Sequence, residues 1–281
     1  MIIDAHHHVW DPRTARHAWL DELPRLNRPF GFADFEHASA PAGVTASVLG
    51  QVLPSAAETA DFLALADGAA GRIAGVVGWA DLTSEGLADE LARLRSLPGG
   101  DRLVGIRHLV QDEPDPDWLR RPAVRRGLQA VDAAGLRYDL LIRPAQLPAA
   151  LHVTQLDGVT FVLDHGAKPD IASGRLEPWA KLMTQLARRP NVVCKLSGMV
   201  TEAAAAWTAA QLRPYADHLL DCFGTQRLMF GSDWPVCTLA ASYRDVVAVA
   251  RVMTSQLDQA ELEAVFHGNA VTAYGLRLAG R

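Results

Sequence analysis

Eight short runs of apolar, β-branched residues, each followed by a longer stretch of different periodicity, constrain this chain more than any other feature. The runs span 2–5, 45–50, 73–78, 103–106, 137–142, 160–163, 191–196 and 227–230. Between them lie AAETADFLALADGAAG, LADELARLRSL, AVRRGLQAVDAAG, EPWAKLMTQLARR and AASYRDVVAVARVM, whose apolar residues recur at helical spacing. Several of these stretches end in Gly or Asn just before the next run, as helix C-termini do. The pattern predicts eight βα units in 281 residues, which is the length of one closed (β/α)8 TIM barrel of the α/β class. A doubly wound sheet would carry a Gly-rich phosphate loop after its first strand; here three histidines, His6, His7 and His8, stand there instead. One barrel domain over 1–281 is therefore expected, with a further helix over 259–273 against the barrel end.

Two loops depart from the short connections of such a barrel. No helix is evident over 11–43, yet Trp19, Phe30, Phe32 and Phe35 fall there. A long irregular connection rich in aromatics reads as an ordered flap over the barrel mouth or as a loop packed on the exterior. The acidic loop 111–118, QDEPDPDW, follows the fourth strand and either borders the mouth or is a solvated face.

Composition narrows the function classes. Hydrophobic residues make up 49% and charged residues 21%, enough for a sizeable core. The 27 basic and 32 acidic residues leave a charge of −5 with no basic stripe, so nucleic acid and anionic membranes are not expected partners. Cys194, Cys222 and Cys237 lack the spacing of a disulfide framework and suit a reducing cytoplasm. MIIDAHHHV has neither the basic nor the apolar region of a secretory leader, and no run of apolar residues reaches membrane-spanning length. A cytoplasmic enzyme acting on a small molecule is the expectation.

In a parallel barrel, chemistry sits at the C-terminal ends of the strands. Those ends supply His6 and His8 from the first strand, Gln51 from the second, Trp79 and Asp81 from the third, and Arg107 and His108 from the fourth. Asp164 and His165 end the sixth, Lys195 and Ser197 belong to the seventh, and Asp233 follows the eighth. Residues i and i+2 of a strand share a side, so His6 and His8 can both face the barrel axis while His7 faces away. Two such imidazoles with His165 and the carboxylate of Asp233 form a donor set for one divalent metal of the zinc class. Each also has a plainer reading: hydrogen-bonded histidines for His6, His8 and His165, and a helix N-cap for Asp233. Lys195 lies inside an otherwise apolar strand, where an ammonium needs a partner or a route to the mouth. Arg107, His108, Trp10, Gln51 and Trp79 are the candidate substrate-binding residues, with core packing as the alternative for the tryptophans.

These motifs resemble a known family. HxH closing the first strand, LDHxxKP at the sixth, KLSG at the seventh and GSDWP at the eighth resemble the amidohydrolase superfamily. Within it they resemble the lactonase-like branch that holds sugar-lactone hydrolases and 2-pyrone-4,6-dicarboxylate lactonase. The resemblance runs from DAHHHVW to FHGNAVTAYGL. It implies a catalytic centre of His6, His8, His165 and Asp233, with Asp233 as the base that activates water. Apart from the resemblance, the residues themselves add Lys195, which would polarise the carbonyl in the absence of metal or hold the substrate. Binuclear members carry a bridging carboxylated lysine on the fourth strand and a metal-binding histidine on the fifth. Here those strands offer Arg107, and Tyr138 with Asp139, so the resemblance implies one metal ion or none. The expected reaction is hydrolytic opening of a lactone. Few arginines fall at the strand ends, which favours a neutral sugar-acid lactone of fucose, rhamnose or galactose type over a dicarboxylate. A metal-dependent decarboxylase on the same barrel is the nearest rival, and a non-catalytic ligand-binding barrel the rival from another class.

Overall fold

The computed structural model describes residues 1–278. Eight parallel strands form one sheet in chain order: β1 (Ile2–His7), β2 (Val44–Gly50), β3 (Ile73–Gly78), β4 (Leu103–His108), β5 (Arg137–Leu140), β6 (Phe161–Leu163), β7 (Val192–Leu196) and β8 (Leu228–Phe230). All eight apolar runs are strands, with ends displaced by at most two residues. The ring closes beyond β8: Asp233 N–H donates to the His6 carbonyl at 2.8 Å and His8 N–H to the Trp234 carbonyl at 2.7 Å. The segment that delivers Asp233 is thus itself the seam with β1.

Helices α1 (Phe32–Ser39), α2 (Ala56–Gly68), α3 (Leu87–Arg95), α4 (Pro122–Ala133), α5 (Leu147–Val153), α6 (Trp179–Ala187), α7 (Ala209–Phe223) and α8 (Tyr243–Met253) follow the strands of the same number. They form because each carries an apolar stripe. In α4, Val124, Leu128 and Val131 are buried while Arg125 and Arg126 face out, and each such apolar side chain contributes about 1.5–3 kcal/mol on burial. No helix among the described residues is long and apolar enough to cross a membrane.

The expectation of no helix over 11–43 is corrected by α1. Eight residues are too few to show a clear period, but Gly31 opens the helix and its N–H donates to Asp34 Oδ2 at 2.8 Å. Phe35 is buried and stacks on His7, ring centroids 3.8 Å apart. The rest of the segment is ordered by aromatics: Trp10 meets Trp19 and Phe30 edge-on, and Phe30 meets Trp234. It therefore covers the outer side of β1 and the β8 turn.

Inside the ring, Ile3, Ala5, Ala46, Val48, Val77, Val162 and Met229 form an apolar floor with Ala270, Ala273, Tyr274 and Leu276 of the C-terminal segment. That segment is helical as expected, but in two pieces, Gln259–Glu263 and Asn269–Tyr274, joined by a wider turn at Ala264–Gly268. The β1–β2 register slips between Asp4 and His7. Ile3 and Ala5 belong to the floor, and beyond the slip His6 and His8 also face the interior, while Asp4 bonds outward to the Tyr243 hydroxyl at 2.8 Å.

Candidate active site

Above the apolar floor lies a layer of buried charge. Lys195 on β7 is 1% exposed; its ammonium donates to Asp139 Oδ2 at 2.6 Å, lies 3.0 Å from His6 Nδ1, and forms an ion pair with Asp164 Oδ1 at 2.8 Å. Arg107 on β4 is 3% exposed, with Nη1 3.0 Å from Asp164 Oδ2 and Nε 3.0 Å from Gln51 Oε1, while Nη2 donates to the Gln51 carbonyl. Burial would raise the Asp164 carboxyl, but Lys195, His6 and Arg107 together hold it well below its ordinary value. Burial pushes Asp139 upward against the pull of Lys195, and the Tyr274 hydroxyl donates to it at 2.7 Å.

On this layer stand the histidines. His8 Nδ1 lies 2.8 Å from the Gly50 carbonyl, so it carries the proton and leaves a lone pair on Nε2. His6 Nε2 is 3.0 Å from His8 Nε2. Arg107 Nη1 also lies 3.2 Å from His6 Nε2, so both nitrogens of His6 are held within the buried network. His165 Nδ1 is 2.8 Å from Ser197 Oγ. It is brought close by a turn in which His165, Ala167 and Lys168 have φ of 54°, 60° and 51°, a left-handed run that non-glycine residues adopt at a cost and that clusters at functional sites. Gly198 makes room: a Cβ there would lie 2.6 Å from His165 Nδ1. Burial holds His6, His8 and His165 far below their ordinary pKa, so all three are neutral.

Asp233 completes the group. Its φ is 58°, and Oδ1 lies 3.8 Å from His6 Nε2, 3.7 Å from His8 Nε2 and 3.8 Å from His165 Nε2. These separations are too long for hydrogen bonds. They approach the roughly 3.3 Å edge of a tetrahedron of ligands around zinc. Donor atoms of His6, His165 and Asp233 lie within 4.8 Å of one another. His6 fits a metal as the tautomer with Nδ1–H turned to Asp164 Oδ1, 3.3 Å away, the carboxylate–histidine support common behind metal ligands. Neutral imidazoles, a buried carboxylate and this second partner for His6 make the donor set fit a zinc-class ion. Burial raises the Asp233 carboxyl to about 7, against the pull of Lys168 and Arg107.

The remaining candidates are placed as follows. Gln51 is buried over Arg107, and its amide Nε2 has no partner among the described residues. His108 has both nitrogens engaged, with Trp79 Nε1–H at 3.3 Å and Glu113 at 2.7 Å, and stacks on Trp118 from the loop over 111–118. Trp10 is 6% exposed and donates to the Leu26 carbonyl, inside the aromatic cluster of the long segment. Lys195 and Arg107 lie beneath His6 rather than at the open rim. Two residues gain importance that strand-end reading did not assign. Asp164 is the hub of the charged layer. Asp4 accepts from the backbone N–H of His6 at 3.1 Å and of Ser232 at 2.8 Å, pinning the β8 turn to β1. An aspartate inside a run that is otherwise apolar was the signal available for Asp4.

A (β/α)8 barrel with a three-histidine, one-carboxylate group at the C-terminal ends of its strands defines a class of barrel enzymes with a candidate metal-binding centre. The chain matches the amidohydrolase family over residues 3–276 and belongs to it. It is 40% identical over 291 residues to an L-fucono-1,5-lactonase of Burkholderia multivorans, covering 98% of this chain and 96% of that one. It is also 40% identical over 245 residues to the L-fucono-1,5-lactonase of Burkholderia ambifaria, covering 86% and 83%. A solved structure of an amidohydrolase from Burkholderia multivorans with bound zinc superposes with a TM-score of 0.92 at 37% identity, covering 99% of this chain and 100% of that one.

Proposed function

We propose that this enzyme hydrolyses a neutral sugar-acid lactone in the cytoplasm, with Asp233 as the general base. The observation that carries the proposal is the buried Asp233 carboxylate facing three neutral imidazoles at 3.7–3.8 Å. The two relatives named L-fucono-1,5-lactonase support the substrate class, and L-fucono-1,5-lactone is the first substrate to test. Arg107, the expected partner for a substrate carboxylate, is instead bound to Gln51 and Asp164, which favours a neutral ring over a dicarboxylate.

His6, His165 and Asp233, with His8 alongside, would hold a single zinc-class ion. Such an ion would supply Lewis-acid polarisation of the lactone carbonyl. The chain's own groups do the rest. Asp233 takes a proton from water, the water oxygen bonds to the carbonyl carbon, and the bond from that carbon to the ring oxygen breaks. The proton held on Asp233 passes to the leaving oxygen, giving a hydroxy acid. Burial raises the Asp233 carboxyl, which favours its taking a proton from water and returning it to the leaving oxygen. Lys195 holds His6 from below, and the free Gln51 amide is placed to donate to bound substrate.

The test is acid release in a pH-indicator assay on L-fucono-1,5-lactone and on 2-pyrone-4,6-dicarboxylate, before and after chelation, for wild type and Asp233→Asn. Turnover of the sugar lactone is expected, with a loss of roughly 10²–10⁴-fold in the variant. Wild-type turnover in Asp233→Asn would refute the role of the base. Silence on every lactone, with carbon dioxide released from an unsaturated carboxylic acid, would move the assignment to a decarboxylase.

A further inference from the structure

Two charged side chains at the rim remain once the site is built. Lys168 follows His165 by three residues in the turn after β6. Glu202 lies in the segment after β7 that also carries Ser197 and Gly198. The two segments are tied together: Ala172 N–H donates to the Glu202 carbonyl at 3.0 Å, and Ser197 holds His165. Lys168 Nζ is 3.5 Å from Glu202 Oε1, with the side chains 20% and 21% exposed. A well-made ammonium–carboxylate bond is about 2.7–2.9 Å. Among the described residues neither side chain makes a hydrogen bond, so both keep unspent capacity while largely withdrawn from solvent. Both sit on the segments that build the site, Lys168 three residues past His165 and Glu202 five residues past Ser197. Lys168 takes a left-handed φ of 51° directly before Pro169, a conformation that lysine adopts at a cost.

We propose that Lys168 and Glu202 form a hydroxyl clamp that sets substrate specificity, the ammonium donating to and the carboxylate accepting from the hydroxyls of a polyhydroxylated lactone. The inference rests on the lactonase reading and names what selects its substrate. A diol offers lone pairs and O–H donors together, so it satisfies both members of the pair at once. A substrate carboxylate would bond Lys168 but face the charge of Glu202. An unsubstituted lactone would leave both unsatisfied. The pair acts on binding and orientation; bond breaking stays with Asp233.

The experiment compares wild type, Lys168→Met and Glu202→Gln on L-fucono-1,5-lactone and on unsubstituted δ-valerolactone, with thermal melts to verify folding. Each variant is expected to lose roughly 10–100-fold in kcat/KM on the sugar lactone, carried by KM, and less than about twofold on the unsubstituted ring. Equal losses on both rings, or a fall in kcat at constant KM, would show that the pair acts only through Asp233 and would overturn the clamp. Unchanged kinetics on the sugar lactone would overturn it too. If the wild type does not turn over the unsubstituted ring, the KM-against-kcat split on the sugar lactone decides. A wild type inactive on the sugar lactone would overturn the lactonase reading and the clamp with it; an active wild type with unaffected variants would overturn the clamp alone.

Discussion

Replacing Lys195 by methionine isolates the buried charge layer under the site. The substitution keeps the length and apolar stem of the side chain and removes only the ammonium. Asp139 and Asp164, both fully buried, then lose a partner at 2.6 Å and at 2.8 Å. Asp164 keeps Arg107 at 3.0 Å, whereas Asp139 is left with the Tyr274 hydroxyl. Removing one member of a buried ion pair typically costs about 3–5 kcal/mol, and at this chain length each kcal/mol lowers Tm by roughly 2 °C. A drop of about 6–10 °C at pH 8 follows from those two figures. The pH dependence has a definite sign. In the wild type Asp164 stands well below its ordinary pKa, so its ionised form adds stability above the usual carboxylate range and that stability is lost as pH falls towards the folded value. In the variant the unpaired carboxyl of Asp139 takes up a proton as pH falls, which relieves the buried charge. The deficit should therefore be largest at pH 8 and shrink towards pH 5. Circular-dichroism melts of wild type, Lys195→Met and Asp139→Asn/Lys195→Met at both pH values provide the assay. The double variant should recover part of the loss, since one unpaired carboxylate is gone. A Tm within about 2 °C of wild type at pH 8, or a deficit equal at both pH values, would refute the reasoning.

Glu58 titrates with the opposite sign. Burial raises it from 4.5 to about 7 although it accepts from the backbone N–H groups of Val52 and Leu53. A folded pKa above the unfolded one gives stability that is present below pH 4.5 and lost as pH rises through 7. Relative to Glu58→Gln the wild type should lose about 3 kcal/mol between those limits, read from denaturant melts; a constant difference would contradict this. Gly198→Ala places a Cβ 2.6 Å from His165 Nδ1 at a φ of 65°. It should destabilise by about 1–3 kcal/mol and depress activity further by moving His165, measured as Tm and kcat on the same preparation. Zinc added at a hundredfold excess over its Kd should stabilise the protein by about 2.7 kcal/mol, and His165→Ala should abolish that increment. An unshifted melt of the wild type in saturating zinc would exclude the metal site.

Local pattern was enough to read the strands, five of the eight barrel helices and the residues at the strand ends, because strand and helix periods are properties of neighbouring residues. It was also enough to set His6 and His8 on one side, since their spacing of two survives whatever the rest of the barrel does. The helix Phe32–Ser39 escaped because one buried aromatic face over eight residues is too little period to stand out from a loop. The roles of the charged residues were out of reach for a different reason. Lys195 reads as a lysine in need of a partner, but its partners come from strands 56 and 31 positions away and from His6 at the other end of the chain. Arg107 and His108 are adjacent in sequence; one is committed to the buried layer and the other to Trp79, Glu113 and Trp118. Side-chain alternation separates them, but only the closed ring decides what each one meets. The same holds for Lys168 and Glu202, which face one another because the segments after β6 and β7 are bonded together. Strand chemistry is written along the chain, whereas the pairing of charges depends on how the eight strands are staggered around the axis, a property of the closed barrel that no single strand carries.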